Sequence, residues 1–126
     1  MDDEGLIEAA KAARLQAYAP YSNYLVGAAI VCEDGSIHTG ANVENSIYGL
    51  SVCAERVAIW SAVAEGRRRI TKLALVTADG GFPCGACRQV LFEFADPAGC
   101  PVLIADLQGN VRRTDVNALL PEGFRL

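Results

Sequence analysis

Long apolar runs are missing from this chain. No stretch of about 18 apolar residues occurs, which excludes a membrane-spanning helix. Yet 52% of the residues are hydrophobic and the mean hydropathy is +0.22, enough for a substantial core. Positive charge is also scarce: Lys and Arg number 11 against 15 Asp and Glu, for a formal net charge of −4. The clusters Arg67-Arg68-Arg69 and Arg112-Arg113 are short. They read as a solvated helix end and a strand edge, so a nucleic-acid partner is not expected. The opening Met1-Asp2-Asp3-Glu4 lacks the basic region and apolar stretch of a signal peptide, and the expected compartment is the cytoplasm. Repeats, low-complexity segments and linkers are absent, so residues 1–126 read as one domain. The 5 cysteines are an odd number, which argues against a disulfide framework. In a reducing compartment they stay reduced or bind metal.

What is present is a pair of answering motifs, Cys53-Ala54-Glu55-Arg56 and Pro83-Cys84-Gly85-Ala86-Cys87. Three thiolates can hold Zn²⁺ and leave its fourth position open. A carboxylate two residues from a ligand can then move protons beside the metal. From Cys53 to Ala64 only Glu55, Arg56 and Ser61 are not apolar, which predicts a buried helix. Pro83 suits a helix's first turn, which predicts that Cys84 and Cys87 share the first turn of a second helix and face one way. Two helix N-termini would converge there, and their partial positive charge favours thiolate.

Competing readings of the thiols use fewer of the residues. A redox Cys-x-x-Cys pair would follow the first strand of a βαβ unit and would leave Cys53 and Glu55 idle. A structural zinc site needs four ligands. Cys32 and Cys100 lack motif spacing, read as small buried hydrophobes, and His38 is the single histidine, on a strand. A catalytic zinc uses Cys53, Cys84, Cys87 and Glu55 together. Three thiolates make the centre net negative, and Arg56 is placed to donate to the sulfurs and offset that charge.

Residues 3–17 read as an amphipathic helix ended by Pro20, with Leu6, Ala9, Ala10, Ala13 and Ala17 on one side. Tyr24–Cys32 reads as a strand covered on both faces, and Asp34-Gly35 as a hairpin turn into an antiparallel strand over 36–43. Residues 42–51 read as irregular. A third strand spans 69–78, the second metal helix ends near Phe94, and a fourth strand covers 101–105, parallel to the third. A fifth, short strand near Val111 returns antiparallel, and Val116–Leu120 forms a last helical turn. The sum is an α/β fold, a five-stranded mixed sheet with helices on both faces.

With these residues in view, the chain resembles a zinc-dependent cytidine deaminase of the small homotetrameric type. The likeness runs from Tyr21-Ser22 through Val26-Gly27-Ala28-Ala29, Asn42-Val43-Glu44-Asn45, both cysteine motifs with Arg88-Gln89, to Leu119-Leu120-Pro121. The zinc motif marks the deaminase superfamily; the Asn42–Asn45 run points to a free pyrimidine nucleoside.

The resemblance implies a three-layer α/β/α fold, one Zn²⁺ per chain on Cys53, Cys84 and Cys87, and proton transfer by Glu55. It implies that Asn42 and Glu44 bind the ribose, chiefly its 3′-hydroxyl. The Ala54 N–H and Glu55 would hold the pyrimidine edge, and the Pro83 carbonyl would meet the leaving amine. Tyr24 would pack on the ring, at a position that is usually phenylalanine. Tyr48 and Phe124 resemble residues lent to a neighbouring subunit. The implied reaction is hydrolysis of cytidine or deoxycytidine to uridine or deoxyuridine and ammonia, in pyrimidine salvage. The hydroxyl of Tyr24 and a short loop before Pro83 depart from the pattern and bear on fine selectivity.

By composition alone Asn42 and Glu44 are turn and strand-end residues, and Tyr24 and Phe124 ordinary core. Two alternatives are carried forward: a deaminase of another aminated base or nucleoside, of the blasticidin S or isocytosine type, and a non-catalytic zinc-stabilised assembly domain. The metal helix is apolar nearly all round through Val57, Ala58, Ile59, Trp60, Ala62, Val63 and Ala64. A sheet covers one side of such a helix, so the other side predicts a partner subunit.

Overall fold

A computed structural model describes residues 1–126. Its sheet grows from the most apolar segments. β1 (Gly27–Cys32) and β2 (Ile37–Ala41) form an antiparallel hairpin, in register from Gly27 opposite Ala41 to Val31 opposite Ile37. The turn between them has Gly35 at φ +85°, the left-handed region that favours glycine. Asp34 caps it by accepting from the Ser36 N–H and hydroxyl. β3 (Ile70–Val76) pairs antiparallel with the other side of β1. β4 (Pro101–Ala105) runs parallel to β3, and β5 (Val111–Asp115) antiparallel to β4. The order is β2-β1-β3-β4-β5.

Alternation along the strands sorts the core into two layers. On one face Ala29, Ala74, Val76, Leu103 and Ala105 meet Leu6 and Ala10 of α1 (Asp3–Arg14). The small residues let that helix lie close: a Cβ on Gly27 would sit 2.0 Å from the Ala10 carbonyl oxygen. On the other face Ile30, Leu73, Leu75, Val102 and Ile104 pack with α2 (Ala54–Ala64), α3 (Gly85–Phe94) and α4 (Val116–Leu119). The three-layer expectation and the five-stranded mixed sheet therefore hold.

β2 and β3 are shorter than the sequence reading by one to two residues at each end. Three other boundaries differ, the first two because of contacts distant in sequence and the third because of a local cap. α1 stops at Arg14, well before Pro20. The chain leaves it to pair with the segment after β2: the Tyr18 N–H donates to Asn42 and the Glu44 N–H to Tyr18. β1 starts at Gly27 and not at Tyr24, because the Asn42 side chain accepts from the Val26 N–H and donates to the Tyr24 carbonyl. A side-chain amide thus takes bonds a strand would have made. Pro83 precedes the N-cap instead of occupying the first turn of α3. Cys84 is the cap, and its sulfur accepts from the Cys87 N–H at 3.4 Å. The irregular 42–51 segment contains one 3₁₀ turn, Tyr48–Leu50.

Candidate active site

The N-termini of α2 and α3 meet at the cysteines. Cys53 is the N-cap of α2 and makes no side-chain cap bond, so its sulfur is free for other work. Cys84 caps α3 and Cys87 sits in that helix's first turn. The three sulfurs lie within 4.8 Å of one another, with Cys53 and Cys84 3.9 Å apart. Zinc–sulfur bonds of about 2.3 Å in a tetrahedron put sulfurs about 3.8 Å apart, so this donor set fits zinc in both chemistry and spacing.

Charge around the sulfurs favours thiolate. The Arg56 guanidinium donates to the Cys53 sulfur at 3.4 Å while packing over the Trp60 ring, 5.9 Å from its centroid. The Cys53 thiol is brought down to about 5, first by a hydrogen bond from Cys87 and then by Arg56, against the effect of burial. Cys87 moves the opposite way, because it is the donor in that bond and is buried. Metal binding removes thiol protons outright.

Glu55 is 4% exposed, and burial pushes its carboxyl up to about 7. A carboxyl there can hold or release a proton near neutrality. It faces a cavity of about 340 Å³, within the usual range for small-molecule sites. Of the residues singled out in the sequence, Tyr24, Asn42, Glu44, Cys53, Ala54, Glu55 and Cys84 line it. Glu44 is held by the Tyr21 and Ser22 N–H groups and by the Ser22 hydroxyl. Those bonds, the hydroxyl's foremost, hold its carboxyl below the usual range, so Glu44 stays an acceptor. Asn42 spends its oxygen and one N–H on the backbone of Val26 and Tyr24, leaving the second N–H available.

Cys87 and Arg56 lie behind the lining, and three of the expected substrate-binding residues also stand apart from the cavity. The Pro83 carbonyl accepts from Arg88 Nε at 2.8 Å, and Pro83 itself is buried outside the lining. Tyr48 is 80% exposed beside a neighbouring hollow that it shares with Tyr21 and Glu44. Phe124 projects from the surface, 64% exposed, on a chain end held by Gln89. The sequence reading assigned no role to Ser22, Thr77, Gly81 or Phe82, which also line the cavity. Only Ser22 had a signal, as part of the Tyr21-Ser22 likeness.

Comparison with known proteins decides the family. Residues 1–100 match the family described as "Cytidine and deoxycytidylate deaminase zinc-binding region". The chain belongs to that family. Among members of this deaminase family, it is 48% identical over 126 residues to a cytidine deaminase of Sporosarcina psychrophila, covering 98% of this chain and 92% of the relative. The 1.6 Å crystal structure of a cytidine deaminase from Burkholderia pseudomallei superposes with a TM-score of 0.93 at 51% identity, covering 98% of this chain and all of that one. A blasticidin-S deaminase of Bacillus cereus is more distant, 33% identical over 106 residues, which are 76% of this chain and 74% of the relative.

Proposed function

We propose that this chain is a zinc-dependent cytidine deaminase, converting cytidine and deoxycytidine to uridine and deoxyuridine with release of ammonia. The observation that carries the reading is buried Glu55 beside three convergent sulfurs, in a cavity whose walls also hold Asn42 and Glu44. Cys53, Cys84 and Cys87 are the proposed ligands of one zinc per chain, supported by Arg56. When bound, zinc supplies Lewis acidity, which makes a water molecule acidic enough to act as a nucleophile near neutral pH.

The chain's own groups do the rest. Glu55 accepts the water's protons and delivers them, one to the ring N3 and one to the departing 4-amino group. The balance closes: cytidine and water become uridine and ammonia. The Ala54 N–H, at the open N-terminus of α2, is proposed to hold the pyrimidine edge with Glu55, and the Tyr24 ring to pack on its face. The Pro83 carbonyl, which has a second lone pair beyond its Arg88 bond, is kept as the proposed acceptor for the amine. A sugar hydroxyl can accept from the free Asn42 N–H and donate to Glu44, satisfying all three groups. The ionised Glu44 also repels a phosphate, so nucleotides are poor substrates.

The active unit is proposed to be a cytoplasmic homotetramer in which Tyr48 and Phe124 complete neighbouring sites. Their exposure supports that reading. The test of substrate class is the ratio of kcat/KM for cytidine over free cytosine. Two hydroxyl contacts, one to a charged group, predict a ratio of at least about tenfold. Equal values for base and nucleoside, or preferential turnover of blasticidin S, would overturn the nucleoside assignment.

A further inference from the structure

The loop between β3 and α3 carries Gly81 and Phe82 into the cavity wall. It is held by a short chain of hydrogen bonds. The Gly81 N–H donates to the Thr77 hydroxyl at 2.8 Å, and that hydroxyl donates to Asp79 Oδ1 at 3.3 Å. Tyr24, on the approach to β1, adds the only bond in this chain that comes from outside the loop, donating its hydroxyl to the same Asp79 oxygen at 2.6 Å. Thr77 is 2% exposed, so the inner end of the network is fixed. The outer end is more exposed, with Phe82 under the Arg112 guanidinium, 5.9 Å from its ring centroid. Gly80 is at φ +76°, and Asp79 and Phe82 also border a polar hollow on their other side, with Asp106, Asn110 and Arg112. Without Tyr24 the carboxylate keeps only bonds from within its own loop, the Thr77 hydroxyl's among them.

The fit is close. A Cβ on Gly81 would lie 2.7 Å from the Tyr24 hydroxyl oxygen, so the phenol fills the space beside that glycine. We propose that Tyr24 is a positioning residue: through Asp79 it clamps the 79–82 loop and sets the cavity wall against which the substrate binds. The binding half of this inference rests on the function proposed above; the clamp itself does not. The Tyr24 hydroxyl is kept a donor, its pKa raised by burial and by Asp79. The Asp79 carboxyl is held low, foremost by Tyr24. A hydroxyl on a carboxylate is a charge-assisted bond, stronger than a neutral one, here moderated by solvent access.

Three variants of the zinc-loaded protein test it: Tyr24→Phe, which keeps the ring, Asp79→Ala, and the double. Amide exchange of the 78–82 segment is measured by mass spectrometry, and KM and kcat with cytidine. The clamp predicts faster exchange in each single variant and a KM raised about three- to tenfold, with a smaller change in kcat. It also predicts a double variant no worse than the Asp79→Ala single. Parental exchange rates in Tyr24→Phe, or KM effects that multiply in the double, would overturn it. If the parent turns over no cytidine, the proposed function fails, and exchange alone still decides the clamp.

Discussion

Environment divides the cysteines into two chemical sets. Cys53, Cys84 and Cys87 stand together at helix N-termini, and Arg56 donates to the Cys53 sulfur, whose thiol is brought down to about 5. Cys32 and Cys100 are 1% and 3% exposed in the core. Burial pushes Cys100 up to about 12 and raises Cys32, so both keep their protons at neutral pH. Cys87→Ala is therefore expected to lose most of its zinc in metal analysis while Cys100→Ala keeps a full complement. Full zinc occupancy in Cys87→Ala would remove that residue from the ligand set. At this scale the sequence was most legible for the metal site, because two helix starts fix ligand positions through local spacing. It was least legible for Tyr24. Its hydroxyl stood out as a departure near the base, but its partner Asp79 lies 55 residues away and no local pattern joins them.

Helix α2 is capped by Cys53, the first proposed ligand, and carries Glu55, so its seat on the sheet matters most among the elements. Gly40 of β2 sets that seat. A Cβ there would lie 2.5 Å from the Ala58 nitrogen and 2.6 Å from the Ala54 carbonyl oxygen, both rigid backbone. Gly40→Ala is expected to push α2 outward, costing about 1–3 kcal/mol of stability, and to weaken zinc retention. Calorimetry and metal content check it; parental values of both would show that the close approach constrains nothing. Elements bounded by proline, glycine and dense apolar runs were readable, as β4 and the end of α3 show. The end of α1 and the start of β1 were not. Both depend on the 42–44 segment, which bonds to Tyr18, Tyr24 and Val26 after the chain has folded back. Propensity carries no trace of such contacts.

At the scale of the molecule, one face of the metal helix lacks cover. Trp60 is 49% exposed, and the nearby sequence adds Ile47, Tyr48 and Leu50 at 64%, 80% and 64%. Large aromatic side chains of this kind anchor interfaces. Two kinds of two-fold contact close into a tetramer. The expected outcome is a homotetramer whose activity falls on dilution once Trp60→Ala weakens the contact. Light scattering over a concentration series, paired with activity, measures it. A compact and fully active monomer at micromolar concentration would contradict both the assembly and the shared site. What the sequence made legible at this scale is the uncovered face itself, as an apolar helix with more surface than one sheet can bury.

The central claim is that Glu55 moves protons next to a zinc held by the three thiolates. It is tested most directly by ammonia release from cytidine in the parent protein and in Glu55→Gln, with zinc content measured in both. Glutamine matches the shape of glutamate and cannot exchange a proton. The account predicts full zinc in both proteins, one ammonia per cytidine consumed by the parent, and a rate about 10²–10⁴-fold lower in the variant. Ammonia release by Glu55→Gln within a few-fold of the parent would contradict it.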